Sequence, residues 1–237
     1  MPEPHLHEPL DPELLYDYRG VPPQSGSPPL WLPHHQGDVY RGVDIPGIDD
    51  CPERLALLFL HPCTARSGAV LLPRVTVLAV RHAHTKVKPR LDHNNFAIMA
   101  LPDLLGTGAG TWRADFLSVG MIASNLLDRH QRVATLTEDG RLALQQRIVN
   151  HFTRFKPSLT ELAEGTRAVE AEVTLQADWS DAACQAAGRT DLPTIVQAER
   201  DFDAYLNADN KGLRLALKHD PSVTTRTILM EIRRRYP

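Results

Sequence analysis

Hydrophobic and polar positions change their period once along the chain, near residue 136. Before it, apolar residues come in short runs separated by turn chemistry. Leu55 to Leu60 is a contiguous apolar run that predicts a buried strand. His61 to Gly68 is a polar turn, because Pro62 fixes φ and Gly68 permits φ > 0. Ala69 to Val80, rich in Val and Leu, predicts a second strand. Asn95 to Leu105, Trp112 to Met121 and Val119 to Leu127 predict the remaining strands, followed by a polar turn at Asp128 to Arg132. From Leu136 the period becomes helical. Thr137 is an N-cap with Glu138 and Asp139 in the positive first turn, and Leu144, Ile148, Phe152 and Phe155 form the expected core stripe. Ser158 and Glu161 make a capping box for a helix striped by Leu159, Leu162, Thr166, Val169 and Val173. A short helix over Ala182 to Ala187 is ended by Gly188. Asp191 and Pro193 start another helix, and Ile228, Leu229, Ile232 and Tyr236 share one face of the last. Strands first and helices afterwards predict an α+β fold.

The amino-terminal segment has neither period. Nine of the 19 prolines (Pro2, Pro4, Pro9, Pro12, Pro22, Pro23, Pro28, Pro29 and Pro33) fall before residue 36, which excludes a central strand or a long helix there. The segment reads as an extended arm with Tyr16, Tyr18 and Trp31 as aromatic anchors, or as a leader without fixed structure. The expected organisation is an arm over 1–35, a sheet domain over 36–155 with its closing helix, and a helical extension over 156–237.

Composition narrows the partners. The 237 residues carry a formal charge of -3, so no global basic field advertises nucleic acid and any such binding must be local. Three cysteines are too few for a disulfide scaffold, and no 18-residue apolar run is present. The expectation is a soluble, reduced, cytoplasmic protein that binds no membrane.

The local chemistry lies between Gly37 and Lys88. The order Gly37-Asp38-Val39, then Arg54 before an apolar strand, the Ser67-Gly68 turn and a second strand carrying Thr76 resembles the MazF/PemK family of toxin ribonucleases. Val119 to Phe152 resembles the end of that family, where a strand, a basic turn and a Leu-Thr-acidic helix start lead into the closing helix. The resemblance spans roughly 36–155. It implies an SH3-like antiparallel β-barrel, here with the Pro-rich arm and the helical extension added. It further implies a homodimer, cleavage of single-stranded RNA without metal or other cofactor through a 2′,3′-cyclic phosphate, and a protein antitoxin as partner. Arg54 and Thr76 match the family's catalytic arginine and threonine. A guanidinium binds phosphate oxygens bidentately and neutralises charge growing in the transition state, while a threonine hydroxyl can donate to the same phosphate. The acidic loop before Arg54 (Asp44, Asp49, Asp50, Glu53) also offers that arginine a salt bridge.

Downstream, Arg74, Arg81, His82, His84, Lys86 and Lys88 form the dense positive patch of this region and are the candidates for steering RNA. The same lysines would equally blunt an exposed sheet edge. Other motifs carry less. His82-x-His84 lacks a third zinc ligand, His61 and Cys63 are near in sequence only, and Gly106 to Gly110 precedes a strand rather than the helix a phosphate loop needs. Two readings follow: a metal-free endoribonuclease, or a non-catalytic barrel of the same kind acting as a protein assembly or nucleic-acid-binding module.

Overall fold

A computed structural model describes residues 11–17, 28–83, 97–106, 108, 110–208 and 212–237. The described elements are, in order, α1 (Pro12–Leu15), β1 (Val39–Tyr40), β2 (Leu55–Leu58), α2 (Pro62–Ala65), β3 (Arg66–Ser67), β4 (Val70–Leu71), β5 (Arg74–His82), β6 (Ile98–Pro102), β7 (Thr111–Ala123), β8 (Arg132–Ala134), α3 (Glu138–Thr153), α4 (Leu159–Ala187), α5 (Leu192–Leu206), α6 (Leu213–His219) and α7 (Pro221–Arg235). The fold is α+β. Six strands form one antiparallel sheet in the order β6-β7-β5-β2-β1-β8, and β3 and β4 pair separately. The chain divides into two compact units, one of residues 1–28, 35–61 and 73–163, the other of 29–34, 62–72 and 164–237.

In the sheet unit, alternation along the strands sends Val39, Leu55, Leu57, Leu78, Val80, Met99, Leu101, Trp112, Ala114 and Phe116 to one buried face, where Leu144 of α3 and Leu15 of α1 join them. At Gly140 a Cβ would lie 2.8 Å from the Leu15 carbonyl oxygen, so a glycine is what lets α1 approach α3 this closely. Thr137 caps α3 by accepting from the Gly140 N–H at 3.0 Å, and its hydroxyl donates to the Leu14 carbonyl at 2.7 Å. Tyr16, the expected anchor, bridges to Leu136 and donates its hydroxyl to the Pro102 carbonyl at 3.0 Å. Tyr18 lies outside the described residues.

A charged network crosses the start of this sheet. Asp38 and Arg132 are fully buried and meet at 3.0 Å. The same carboxylate accepts from the Tyr40 hydroxyl at 2.9 Å, the His35 backbone N–H at 2.9 Å and the Thr135 hydroxyl. Burial, then the Asp38 charge, pushes the Tyr40 phenol well above its ordinary range. Burial alone would lower Arg132, yet the adjacent carboxylate outweighs it and holds the guanidinium above its ordinary value.

Several sequence expectations change. The stretches 112–121 and 119–127 are one 13-residue strand, β7, ending in a single turn of 3-10 helix at Ser124–Leu126. Ala182 to Ala187 is the tail of the 29-residue α4, and Gly188 at φ 63° ends it. Of the α3 stripe, Leu144 is buried and Ile148 packs on the core, but Phe152 and Phe155 are largely exposed. The helix stops at Thr153 and Arg154 turns left-handed at φ 62°, so Phe155 leaves the helical register. The buried face of α3 is instead partly polar. Gln145 donates to Gln36 at 2.9 Å, Arg147 to the Ile98 carbonyl at 3.0 Å, and Gln146 to the Pro157 carbonyl at 2.7 Å.

The second unit packs α5, α6 and α7 with the carboxy-terminal part of α4 around Trp179, against Leu175, Phe202, Leu206, Leu217, Ile228 and Ile232. The β3–β4 hairpin belongs to it. Arg66 donates to the Ala69 carbonyl at 2.9 Å and to Gln176, which donates to Glu199 at 2.8 Å. Arg214 bridges Glu172 at 3.1 Å and Asp203 at 2.7 Å. No helix among the described residues is long and apolar enough to cross a membrane.

Two outcomes test this account. Arg132→Met strands a buried carboxylate and is expected to cost about 3–5 kcal/mol in urea unfolding; a cost below about 1 kcal/mol would refute the role given to the pair. The second concerns acid. Ser158 holds Glu161 low, Thr194 holds Asp191 low, and Ser222 with the Val223 N–H holds Asp220 low. A carboxylate lowered on folding contributes stability above its unfolded value and loses it as the pH falls through the folded one. Helix melting followed by circular dichroism should therefore be flat near neutrality and weaken below the ordinary carboxylate range. Glu161→Gln with Asp191→Asn and Asp220→Asn should flatten that acid limb.

Candidate nucleic-acid interface

Arg54 enters β2 from a left-handed residue, with φ 51°, after the loop of residues 41–53. Its backbone is fixed on both sides, the N–H by the Cys51 carbonyl and the carbonyl by the Val43 N–H, each at 3.0 Å. Val43 and Ile45 bury their side chains, and Ile45 covers β7 at Gly120, where a Cβ would lie 2.2 Å from the isoleucine methyl. The loop is thereby anchored by apolar contacts while its acids face outward. The Arg54 guanidinium grips Asp44 with two hydrogen bonds, 2.5 Å from Nε and 2.6 Å from Nη2, and also reaches the Gly42 carbonyl at 3.2 Å. Both side chains are more than half exposed, so the pair contributes no more than about 1 kcal/mol.

The register then places a second and third arginine beside it. Leu55 pairs with Val80, which brings Arg54 alongside Arg81 on β5, and Arg81 pairs with Arg113 on β7. Arg81 and Arg113 thus stand opposite each other on adjacent strands, about 5 Å apart at the backbone, and Arg54 immediately precedes the first paired residue of the next strand. Like charges in such positions repel. Acids offset the repulsion: Arg81 meets Asp50 at 2.6 Å and Asp115 at 3.5 Å and donates to the Ser118 hydroxyl oxygen at 2.9 Å. Asp115 is itself held by the Ser118 hydroxyl and the Leu117 N–H, both at 3.0 Å. The Arg113 Nε is buried and has no hydrogen-bond partner among the described residues.

Thr76 lies elsewhere. It pairs with Met121, and its carbonyl accepts from the Phe59 N–H at 3.0 Å, which marks the other end of the β2–β5 ladder. It is five positions along β5 from Arg81, roughly 17 Å at the usual strand rise. The structure therefore brings Arg81, and not Thr76, to Arg54. Arg74 is further still, paired with Ala123 at the exposed start of β5. His82 follows Arg81 on the opposite face, its ring edge-on to Trp112 with centroids 5.0 Å apart. His84, Lys86 and Lys88 lie outside the described residues.

Of the remaining candidates, Cys63 is exposed with its sulfur 3.5 Å from the Thr64 hydroxyl. Cys51 has a structural part, donating to the Val80 carbonyl at 3.5 Å and so tying the acidic loop to β5. The sequence reading passed over Arg113, Asp115 and Ser118. Their signal was the alternation Trp112-Arg113-Ala114-Asp115, which puts the arginine and the aspartate on one strand face and the apolar pair on the other. Comparison with protein-family models and with curated proteins returns no match for the chain.

If Asp115 offsets the arginine row, Asp115→Asn should lower stability by about 1–3 kcal/mol. Asp115→Asn combined with Arg113→Met should recover part of that loss. An additive double mutant in urea unfolding would remove the coupling.

Proposed function

We propose that residues 36–155 form an SH3-like barrel of the PemK/MazF kind that binds the phosphate backbone of single-stranded RNA along the Arg54–Arg81–Arg113 row and cleaves it there. The observation that carries this reading is the row itself. Arginines on adjacent strands can reach neighbouring phosphates of a single strand, and the guanidinium fork suits bidentate contact with phosphate oxygens. The net charge of -3 means that any such binding is local. In the reaction, the 2′-hydroxyl loses its proton to solvent and attacks phosphorus in line, and the expelled 5′-oxygen takes up a proton from solvent, leaving a 2′,3′-cyclic phosphate and a 5′-hydroxyl. No metal is required for that displacement. The arginines stabilise the dianionic charge that accumulates on the phosphoryl oxygens. Arg81 takes the place beside Arg54 that the sequence resemblance gave to Thr76. As a toxin, the protein would be held in check by an antitoxin protein.

One observation favours a second reading. Asp44 satisfies Arg54, and Asp50 and Asp115 satisfy Arg81, so two of the three cations are already neutralised within the chain. On that reading the barrel is a non-catalytic assembly or nucleic-acid-binding module, and the arm and helices provide protein contact surface.

A mixed single-stranded RNA incubated with the protein in EDTA separates the two. The expected result is fragments ending in 2′,3′-cyclic phosphate, a rate reduced roughly 10²–10³-fold by Arg54→Ala or Arg113→Ala, and near-wild-type cleavage by Thr76→Ala. RNA binding that weakens in Arg113→Ala without cleavage would establish the binding module. Neither binding nor cleavage would overturn the nucleic-acid reading altogether.

A further inference from the structure

α7 is amphipathic twice over. Ile228 and Ile232 turn inward and pack in the helical core around Trp179. The opposite side is exposed and has an order of its own. Val223 and Met230, seven residues apart and so two turns along nearly one line of the helix, are 62% and 58% exposed. Arg226 and Arg233 flank that line on one side, and Thr227 and Arg234 on the other. An apolar centre is thus framed by guanidinium groups.

Two of these cations are unanswered within the chain. Arg226 and Arg233 are exposed, and their guanidinium groups make no ion pair or hydrogen bond among the described residues. Arg234 is held by Glu231 at 2.6 Å, and Arg235 lies over the Trp179 ring, 5.2 Å from its centroid. The macrodipole accounts for arginines in the last turn, but Arg226 stands in the second turn, where the dipole gives a cation nothing. Lys218 and His219 add exposed basic groups at the end of α6. Asp220, between the two helices, is engaged in capping α7 through the Ser222 hydroxyl at 2.8 Å and the Val223 N–H at 3.2 Å. Residues 213–237 hold six Lys and Arg against two acids, a surplus of four in a chain whose net charge is -3.

We infer that this face of α7 rests on an anionic bilayer surface, with the apolar line at the boundary of headgroups and acyl chains and the guanidinium groups among the anionic headgroups. Both halves of the pattern select this occupant. A nucleic-acid backbone would answer the arginines and leave Val223 and Met230 facing water. A protein partner would cover them, but a helix of 15 residues is about 22 Å long, and two apolar side chains on it fall far short of the ~800 Å² per partner of a stable interface. A bilayer needs no such area, because each arginine or lysine near an anionic leaflet adds its own attraction. The contact is peripheral, so it requires no membrane-crossing helix, and it revises the expectation of no membrane that the missing apolar run suggested. It involves neither the arginine row nor RNA cleavage, and it holds or fails apart from both.

Cosedimentation of the full chain with vesicles of phosphatidylcholine containing about one-third phosphatidylserine tests it. Two variants are compared with the wild type: Arg226→Gln combined with Arg233→Gln, and Met230→Gln. All three side chains are exposed, so unchanged thermal melts will certify that the variants fold. The expected result is binding to these vesicles, none to pure phosphatidylcholine, and release in high salt. The double arginine variant should weaken binding roughly 30-fold, at about a factor of five per cation. Met230→Gln should weaken it severalfold, since an amide replaces the inserted thioether. No binding to the phosphatidylserine vesicles would overturn the inference. So would vesicle binding that either variant leaves unchanged. If the double arginine variant loses affinity for single-stranded RNA while vesicle binding stays intact, the face belongs to nucleic acid and the inference is overturned.

Discussion

The sheet depends on one buried charge pair. Asp38 and Arg132 come from the residue immediately before β1 and from the first residue of β8, ninety-four positions apart in sequence, and they meet where water cannot screen them. An ion pair in that position is worth having only if every lone pair on the carboxylate is used. Here a phenol, a threonine hydroxyl, a guanidinium and a backbone N–H all converge on it. The network ties β1 and β8, the two strands at one side of the sheet. Because β1 is only two residues long, its position owes more to this carboxylate than to its ladder. The loop that carries the acids of the arginine row starts directly after β1, so the geometry of the row inherits the accuracy of the buried pair.

Burial separates the two groups of arginines. Arg132 and Arg147 lie inside, where each has a fixed acceptor and a structural task. Arg81 and Arg113 sit in register and partly buried, with Arg54 exposed at the entry to β2, and acids on a loop and on β7 are the counter-charges of Arg54 and Arg81 among the described residues. The Arg54–Asp44 pair is exposed and can exchange partners at little cost, whereas Arg81 and Asp115 are largely buried. Asp44 and Asp50 are exposed whereas Asp115 is mostly buried, and Val43 and Ile45 hold the backbone of the loop that carries the first two.

Much of the architecture was legible in the chain. The caps at Thr137, Ser158 and Asp191 and the terminator at Gly188 are local signals, and each appears where the residue types require. The apolar run at Leu55 became β2 because it is short and apolar on both faces and is buried between β1 and β5, although Leu and Ala are weak strand formers. Lengths were harder: two overlapping stretches expected as strands are one strand, β7, and α4 runs on through residues 182–187, where small residues weaken its periodicity. The site was half legible. Arg54 stood out by its place before a strand, but its neighbour is fixed by strand register, a long-range property that spacing along the sequence does not encode. Thr76 and Arg81 lie on one strand, and only the pairing of Leu55 with Val80 decides which of them faces Arg54.

The hairpin of β3 and β4 has an ancestry problem written into its connectivity. It is spliced between β2 and β5 of the sheet unit, yet its arginine anchors on Gln176, 110 residues later. A ribosome releases the hairpin long before the helices that receive it exist. The helical unit is consequently not an appendage that evolution or a protease can remove with one cut. Severing the chain after residue 163 would leave an orphaned loop in the middle of the sheet's own connection, so the two units are bound to be inherited together.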